Sequence, residues 1–294
     1  MPPIGPRAVL SKAPAWTYFI GSAVFHYLGP AFAVLLFARL DPLGVAALRI
    51  WSAALVFALW RRPWRALARL DAGGRRTIIA WGAVLAAMNV CFYLAIARVP
   101  LATVAAIEFL PVVVLAALGA RTVRNLVALV AAVSGVYVLT GVRLTGEPLG
   151  LAFAFANAAL FAAYIVLAHR AARGVRGVGG IDGLAAAMLV AGVFVAPAGL
   201  WQAAPAMIEP VTLAAGIGVG ICSSVIPYVC DQLAMARMAR STYALLVALL
   251  PATATVIGIG VLRQLPSLSE LAGVGLVVLA VALHHERQTP ATVR

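Results

Sequence analysis

The sequence lacks any stretch polar enough and long enough to fold as a domain in water. Charged residues make up 11% of the chain and hydrophobic ones 64%, with a mean hydropathy of +1.04. No water-soluble fold has interior enough to hide that much apolar surface, so hydrocarbon must be the solvent. Acidic residues are scarce: 9 Asp and Glu against 22 Lys and Arg, a formal charge of +13 over 294 residues. The three cysteines, Cys91, Cys222 and Cys230, all fall in apolar stretches and none forms a CxxC pair. They suggest neither a disulfide framework nor a zinc site. Catalytic signatures are missing as well. There is no P-loop, hence no use of ATP by this chain, no GxSxG elbow and no pair of intramembrane aspartates, and His284-His285-Glu286 does not make a HExxH motif. An enzyme is not expected, nor a cofactor or a metal. Arg7 and Lys12 precede an apolar run too long for the core of a cleavable signal.

What is present is a series of long apolar runs. Crossing a bilayer as a helix takes ~20 of them in a row. Runs of that order occupy 15–38, 42–60, 77–97, 101–119, 125–141, 150–169, 181–201, 211–236, 241–262 and 268–285. They are continuous and rich in Ala, Leu and Val rather than alternating, which favours helices over a barrel. The expected fold is an all-α integral membrane protein with ten transmembrane helices. Ten spans leave both termini on one side. Assigned to the cytoplasm, that side receives Arg61, Arg62, Arg65, Arg69, Arg75, Arg76, Arg121, Arg124, Arg170, Arg173, Arg176, Arg237, Arg240 and the basic residues of both termini. The other side receives Arg39, Arg98, Arg143 and Arg263, and Arg49 lies within a span. This asymmetry is the positive-inside rule, so the basic residues mark topology and contact anionic lipid rather than nucleic acid.

The chain also repeats itself. Asn89-Val-Cys-Phe-Tyr-Leu-Ala-Ile-Ala-Arg-Val99 returns as Tyr228-Val-Cys-Asp-Gln-Leu-Ala-Met-Ala-Arg-Met238, with Val, Cys, Leu, two Ala and Arg identical at matched places. Each copy is followed by an apolar run with a proline inside it, Pro111 or Pro251. Thr103 and Tyr243 stand at the same distance before these prolines, whereas Glu108 is matched by Ala248. Two five-helix repeats, 1–145 and 146–294, account for the pattern. Five is odd, so the second must be inverted relative to the first, a construction that lets a cavity open to either side in turn. Gly216 and Gly220 allow a close helix approach, expected to serve packing within the chain rather than a dimer. The fifth and tenth runs have almost no polar residues in their centres and are expected to face lipid or a second copy.

An ionisable group inside a span is costly and marks a functional candidate. Glu108 is the clearest. It can meet a substrate ammonium or carry a coupling proton, or it can be a protonated carboxyl bonded to a neighbouring helix or paired with Arg49. Arg49 can snorkel, pair structurally, or hold a substrate carboxylate. Asp231 is either an inner gate or a solvated helix-end charge. Uncharged polar residues fall at helical spacing: Tyr18, Ser22 and His26; Asn89 and Tyr93; Asn157, Phe161 and Tyr164; Ser224, Tyr228 and Asp231. Residues so spaced share a face. Four such rows on equivalent spans of the two halves suggest one central cavity lined by rings, amides and hydroxyls, suited to a small polar organic solute. His26 could couple protons or simply pack.

The segments Gly44-Val-Ala-Ala-Leu-Arg49, Met88-Asn89, Phe92-Tyr93-Leu94, Val99-Pro-Leu101, Glu108-Phe109 with Pro111, Tyr164-Ile-Val-Leu-Ala-His-Arg170, and Pro227-Tyr228 with an acid at 231 resemble the EamA branch of the drug/metabolite transporter superfamily. Within it the chain is similar to the amino-acid exporters, the threonine/homoserine type and the YddG type among them. The resemblance implies a multi-pass protein of the bacterial inner membrane that moves amino acids out of the cytoplasm. It departs at Phe161, where related proteins often carry Trp, and it lacks the first-span Glu of the small multidrug members. The expected function is export of small neutral amino acids, aromatic ones included, and related metabolites by alternating access. The expected lining is Glu108, Asn89, Tyr93, Asn157, Tyr164, Tyr228, His26 and Gln232, with Arg49 and Asp231 as gating or charged residues and Pro111 and Pro251 as hinges. The partners are then an amino-acid substrate and the bilayer, with no nucleic acid, and the chain can act as a monomer. Another solute (a drug, purine or sugar) or a non-transporting membrane protein remains the alternative.

Overall fold

In the computed structural model, residues 14–111, 114, 122–143, 147–174, 180–235, 237 and 249–283 are described. All regular structure among them is helical. The helices are α1 (Ala15–Leu36), α2 (Pro42–Arg61), α3 (Pro63–Arg69), α4 (Ala72–Ile96), α5 (Leu101–Glu108), α6 (Val123–Arg143), α7 (Pro148–Gly174), α8 (Gly180–Ile208), α9 (Pro210–Gly220), α10 (Ile226–Met235), α11 (Leu250–Leu262) and α12 (Leu268–Leu283). A π-helical turn, Ile221–Val225, joins α9 to α10. Tyr243, Ala248 and the histidines at 284 and 285 lie outside the described residues, as do parts of the fourth and ninth apolar runs.

The few polar residues near helix starts act as caps. Asp41 Oδ1 accepts from the Leu43 N–H at 2.9 Å, and Asp71 Oδ1 from that of Gly74 at 2.8 Å. Ser267 and Glu270 form a capping box, with Glu270 Oε2 accepting from Ser267 N and Ser267 Oγ accepting from Glu270 N. Prolines open α2, α3, α7 and α9, where the missing N–H costs nothing.

Among the described residues, six helical stretches are long and apolar enough to cross a membrane: Trp16–Leu36, Pro42–Arg61, Ala72–Ile96, Pro148–Ala168, Ile181–Ile208 and Pro210–Asp231. Val123–Leu139, Leu250–Leu262 and Leu268–Leu283 are shorter apolar helices. Large apolar side chains, Leu59, Tyr137, Val193, Trp201 and Val256 among them, are exposed on the outward faces. Helices apolar on every side, with such faces left bare, belong in hydrocarbon.

The helices pack in pairs. α4 lies on α7, and α1 on α10; α4 meets α8, and α2 meets α9 and the π-turn; α5 meets α7, and α11 meets α1. Three further pairs are α2 with α8, α5 with α11, and α6 with α12. Glycines set the closest approaches. A Cβ on Gly216 would strike Leu48, and one on Gly220 would strike Ser52 Oγ and the Arg49 carbonyl, so both glycines serve packing within the chain. Gly135 and Gly273 bring the α6 and α12 backbones together in the same way.

The repeated arginines adopt matching geometry. Arg98 Nη1 donates to the Leu94 carbonyl at 2.8 Å, and its guanidinium lies 5.6 Å from the ring of Phe153 on α7. Arg237 Nη1 donates to the Leu233 carbonyl at 3.1 Å, 4.8 Å from the ring of Tyr18 on α1.

Candidate functional site

Arg49 stands seven residues beyond the start of α2, about 10 Å along the helix. It is 7% exposed and does not snorkel. Its Nε donates to Ser224 Oγ at 3.0 Å and its Nη2 to the Ser223 carbonyl at 3.2 Å, both on the π-turn. Its guanidinium lies 5.4 Å from the centre of the Tyr93 ring on α4. The sequence explains why the Ser223 carbonyl is free to accept. Four residues on is Pro227, which has no N–H to return the usual helical bond. The main chain widens into a π-turn directly before that proline, and such turns recur at functional sites.

Glu108 ends α5 and is 8% exposed. Its Oε1 accepts from Asn157 Nδ2 on α7 at 3.2 Å, and Asn157 is fully buried. Glu108 and Arg49 form no ion pair; among the described residues the pairs within 4.0 Å are Arg39–Glu209 and Arg61–Asp182, both exposed. The two buried charges nevertheless share surroundings. The charge of Arg49 acts on His26, Tyr93, Glu108 and Tyr228, and that of Glu108 on Tyr27 and Tyr228. Asp231 acts on Tyr228 and Cys230.

Several buried polar atoms in this neighbourhood have no hydrogen-bond partner among the described residues: Tyr27 Oη, Tyr93 Oη, Asn157 Oδ1 and Ser223 Oγ, with Trp81 Nε1 nearby on α4. The Tyr93 hydroxyl lies close to Ser223 and Arg49 without reaching hydrogen-bond geometry with either. Unsatisfied polar atoms cost about 1–3 kcal/mol each when buried, so a cluster of them calls for a polar guest. An aromatic wall flanks it. Phe161 stacks on Tyr164 at 6.1 Å and meets Phe109, next to Glu108, edge-on at 6.4 Å; Trp81 lies 5.7 Å from Tyr164.

The structure therefore brings together Glu108, Asn157, Arg49, Tyr93, Tyr228 and His26, with Tyr164 in the adjoining wall. Other expected residues sit differently. The Asn89 amide donates to the Leu85 carbonyl of its own helix at 2.8 Å. Tyr18, expected on the same row as His26, packs with Phe19, Ala23 and Ala234 in a separate small core under Arg237. Gln232 lies on α10, with its side chain outside the described part. Tyr27 and Ser223 were not singled out by spacing. Tyr27 is next to His26 and off its row, and the extra residue in the π-turn turns Ser223 toward Arg49 together with Ser224. Pro227, four residues after Ser223, was the signal for the latter. A cavity of about 270 Å³ lies elsewhere, bounded by Thr103, Thr255, Gly258, Gln264 and Glu270, and none of its lining belongs to the polar cluster. Among the described residues no group of three or more His, Cys, Asp or Glu is placed to hold a metal ion.

Known proteins share this chain's sequence along most of its length. It is 30% identical over 259 residues to the threonine/homoserine exporter RhtA of Escherichia coli, covering 86% of this chain and 84% of that one. It is 29% identical over 273 residues to the threonine/homoserine exporter RhtA of Salmonella typhimurium, covering 90% and 88%. The profile of the EamA-like transporter family matches residues 148–284. The chain belongs to the EamA-like transporter family.

Proposed function

We propose that the protein exports small neutral amino acids, aromatic ones included, and related metabolites from the cytoplasm across a bacterial inner membrane by alternating access. The observation that carries the reading is the buried cluster around Glu108 and Asn157, charged and under-satisfied, between helices of the two proposed halves. Glu108 meets the substrate ammonium; Asn157, Tyr93, Tyr228 and His26 line the site; Tyr164 and Phe161 face the substrate side chain. Asn89 and Gln232 complete the lining when the site opens, and Asp231 guards its cytoplasmic side. The names of the relatives support an amino-acid substrate.

Ten spans in two inverted repeats, 1–145 and 146–294, are supported by the packing. Renumbering each half as the other turns the pair α4–α7 into α10–α1, α4–α8 into α9–α2, and α5–α7 into α11–α1, while α2–α8, α5–α11 and α6–α12 map onto themselves. The matched settings of Arg98 and Arg237 support it too. Pro111 and Pro251 are the hinges. Pro111 follows the break after Glu108, and Pro251 stands in the first turn of α11.

The test is uptake of labelled threonine, methionine and phenylalanine by proteoliposomes of the purified protein, with and without a pH gradient. Saturable flux of at least one is expected, slowed in a Pro111→Ala, Pro251→Ala double variant. Flux of purines or sugars in place of amino acids replaces the substrate assignment; wild-type rates in the double variant remove the hinges.

A further inference from the structure

We infer that the Arg49 guanidinium is the receptor for the carboxylate of the transported solute, so that the site admits zwitterions and rejects amines of the same shape. The inference rests on the exporter reading and deepens it. A guanidinium stays protonated and offers five N–H donors in a planar fork suited to a carboxylate. Here it makes two hydrogen bonds, to Ser224 Oγ and the Ser223 carbonyl, and meets one ring face, that of Tyr93. All three partners are neutral, so this buried cation lacks a counter-charge in contact, a costly condition in a low-dielectric interior.

Its neighbours are matched to an anion. The hydroxyls of Tyr93 and Ser223 are buried, close to one another and unpartnered, and each has a proton to donate. At Glu108 the polarity is reversed. The carboxylate and the unpartnered Asn157 Oδ1 are both acceptors, suited to an ammonium. Unpartnered hydroxyls lie by Arg49 and an unpartnered amide oxygen lies by Glu108, where the Tyr27 hydroxyl is close as well, and the two charged groups bond different partners. That is the complement of a molecule carrying a carboxylate and an ammonium on one carbon. The bonds to the π-turn use two of the five N–H groups, so the remaining ones can grip a carboxylate while α2 stays tied to the turn.

The experiment compares threonine with threoninol, which keeps the amine and hydroxyl but carries a hydroxymethyl group in place of the carboxylate. In wild-type proteoliposomes, threoninol should compete with labelled threonine at least about tenfold more weakly than threonine does, the scale of a lost charge-assisted hydrogen bond. In detergent, threonine should raise the Tm of the wild type and threoninol should not. Arg49→Gln should lose the threonine-induced rise, and Arg49→Lys, a charge without the fork, should keep part of it. Equal competition by the two solutes overturns the inference and leaves the exporter reading standing. So does a threonine-selective Tm shift retained in full by Arg49→Gln, or by Arg49→Lys if the Gln variant does not fold. Absence of any amino-acid flux in the wild type overturns both.

Discussion

At Glu108 two effects compete. Burial penalises its charge, while Asn157 Nδ2 supplies a hydrogen bond that supports it. The variant Glu108→Gln keeps an oxygen in place and removes the charge. If Glu108 meets the substrate ammonium, the loss of an ionic hydrogen bond of about 1.5–3 kcal/mol predicts flux lower by roughly 10- to 100-fold. Initial rates in proteoliposomes measure this. A pH-gradient response present in the wild type and absent in Glu108→Gln assigns it the coupling proton as well. Unchanged flux and unchanged pH response remove Glu108 from the mechanism. The residue was legible in the sequence because an acid inside an apolar run has few structural explanations. Tyr27 was not, because a helix embraced by α10, α11 and the π-turn presents polar groups on more than one face, and a single row of spacing captures only one.

Among the described elements, the segment from α9 through the π-turn to α10 is irregular. Gly220 lets α2 approach until a Cβ there would meet Ser52 Oγ, and Gly29 does the same for α1 against Ser223. Pro227 withholds the N–H that would otherwise occupy the Ser223 carbonyl, leaving it for Arg49. Restoring that N–H in Pro227→Ala should tighten the turn toward α-helix. A proline inside a helix costs ~3 kcal/mol, so the variant is expected to melt at the wild-type temperature or above it. Flux should nevertheless fall several-fold, because Arg49 loses an acceptor and Tyr228 is rotated. A lower Tm with normal flux would show that the turn is only a packing defect. Apolar runs predicted where helices lie, but an inserted residue leaves no periodic trace, so the π-turn was invisible until α1 and α2 were packed on it.

For the whole molecule, the proposed architecture stands on one property, that one half runs upside down relative to the other. Arg98 and Arg237 occupy the same place in the repeat with the same i−4 carbonyl bond. They should therefore lie on opposite faces of the membrane. Single Arg98→Cys and Arg237→Cys variants, in a chain with Cys91, Cys222 and Cys230 replaced, should react with a membrane-impermeant thiol reagent in intact cells at position 98 and only after permeabilisation at 237. Labelling of both from the same side would dismantle the inverted repeat and the alternating-access reading with it. The α6–α12 pair stands apart from the polar cluster, held by Gly135 and Gly273, with Val123, Val130 and Tyr137 facing outward.

The amino-acid sequence by itself determined the solvent, the helical class, the positions of the apolar runs, the recurrence of one eleven-residue segment and the two ionisable residues that apolar surroundings cannot ignore. These follow from composition and spacing, which are local quantities. Tertiary structure alone decided that Arg49 bonds the π-turn and not Glu108, that Tyr18 and Asn89 are occupied elsewhere, and that Tyr27 and Ser223 join the cluster. Those outcomes depend on which helix faces meet across the bundle and how closely glycine lets them approach, and neither is a property of any one segment.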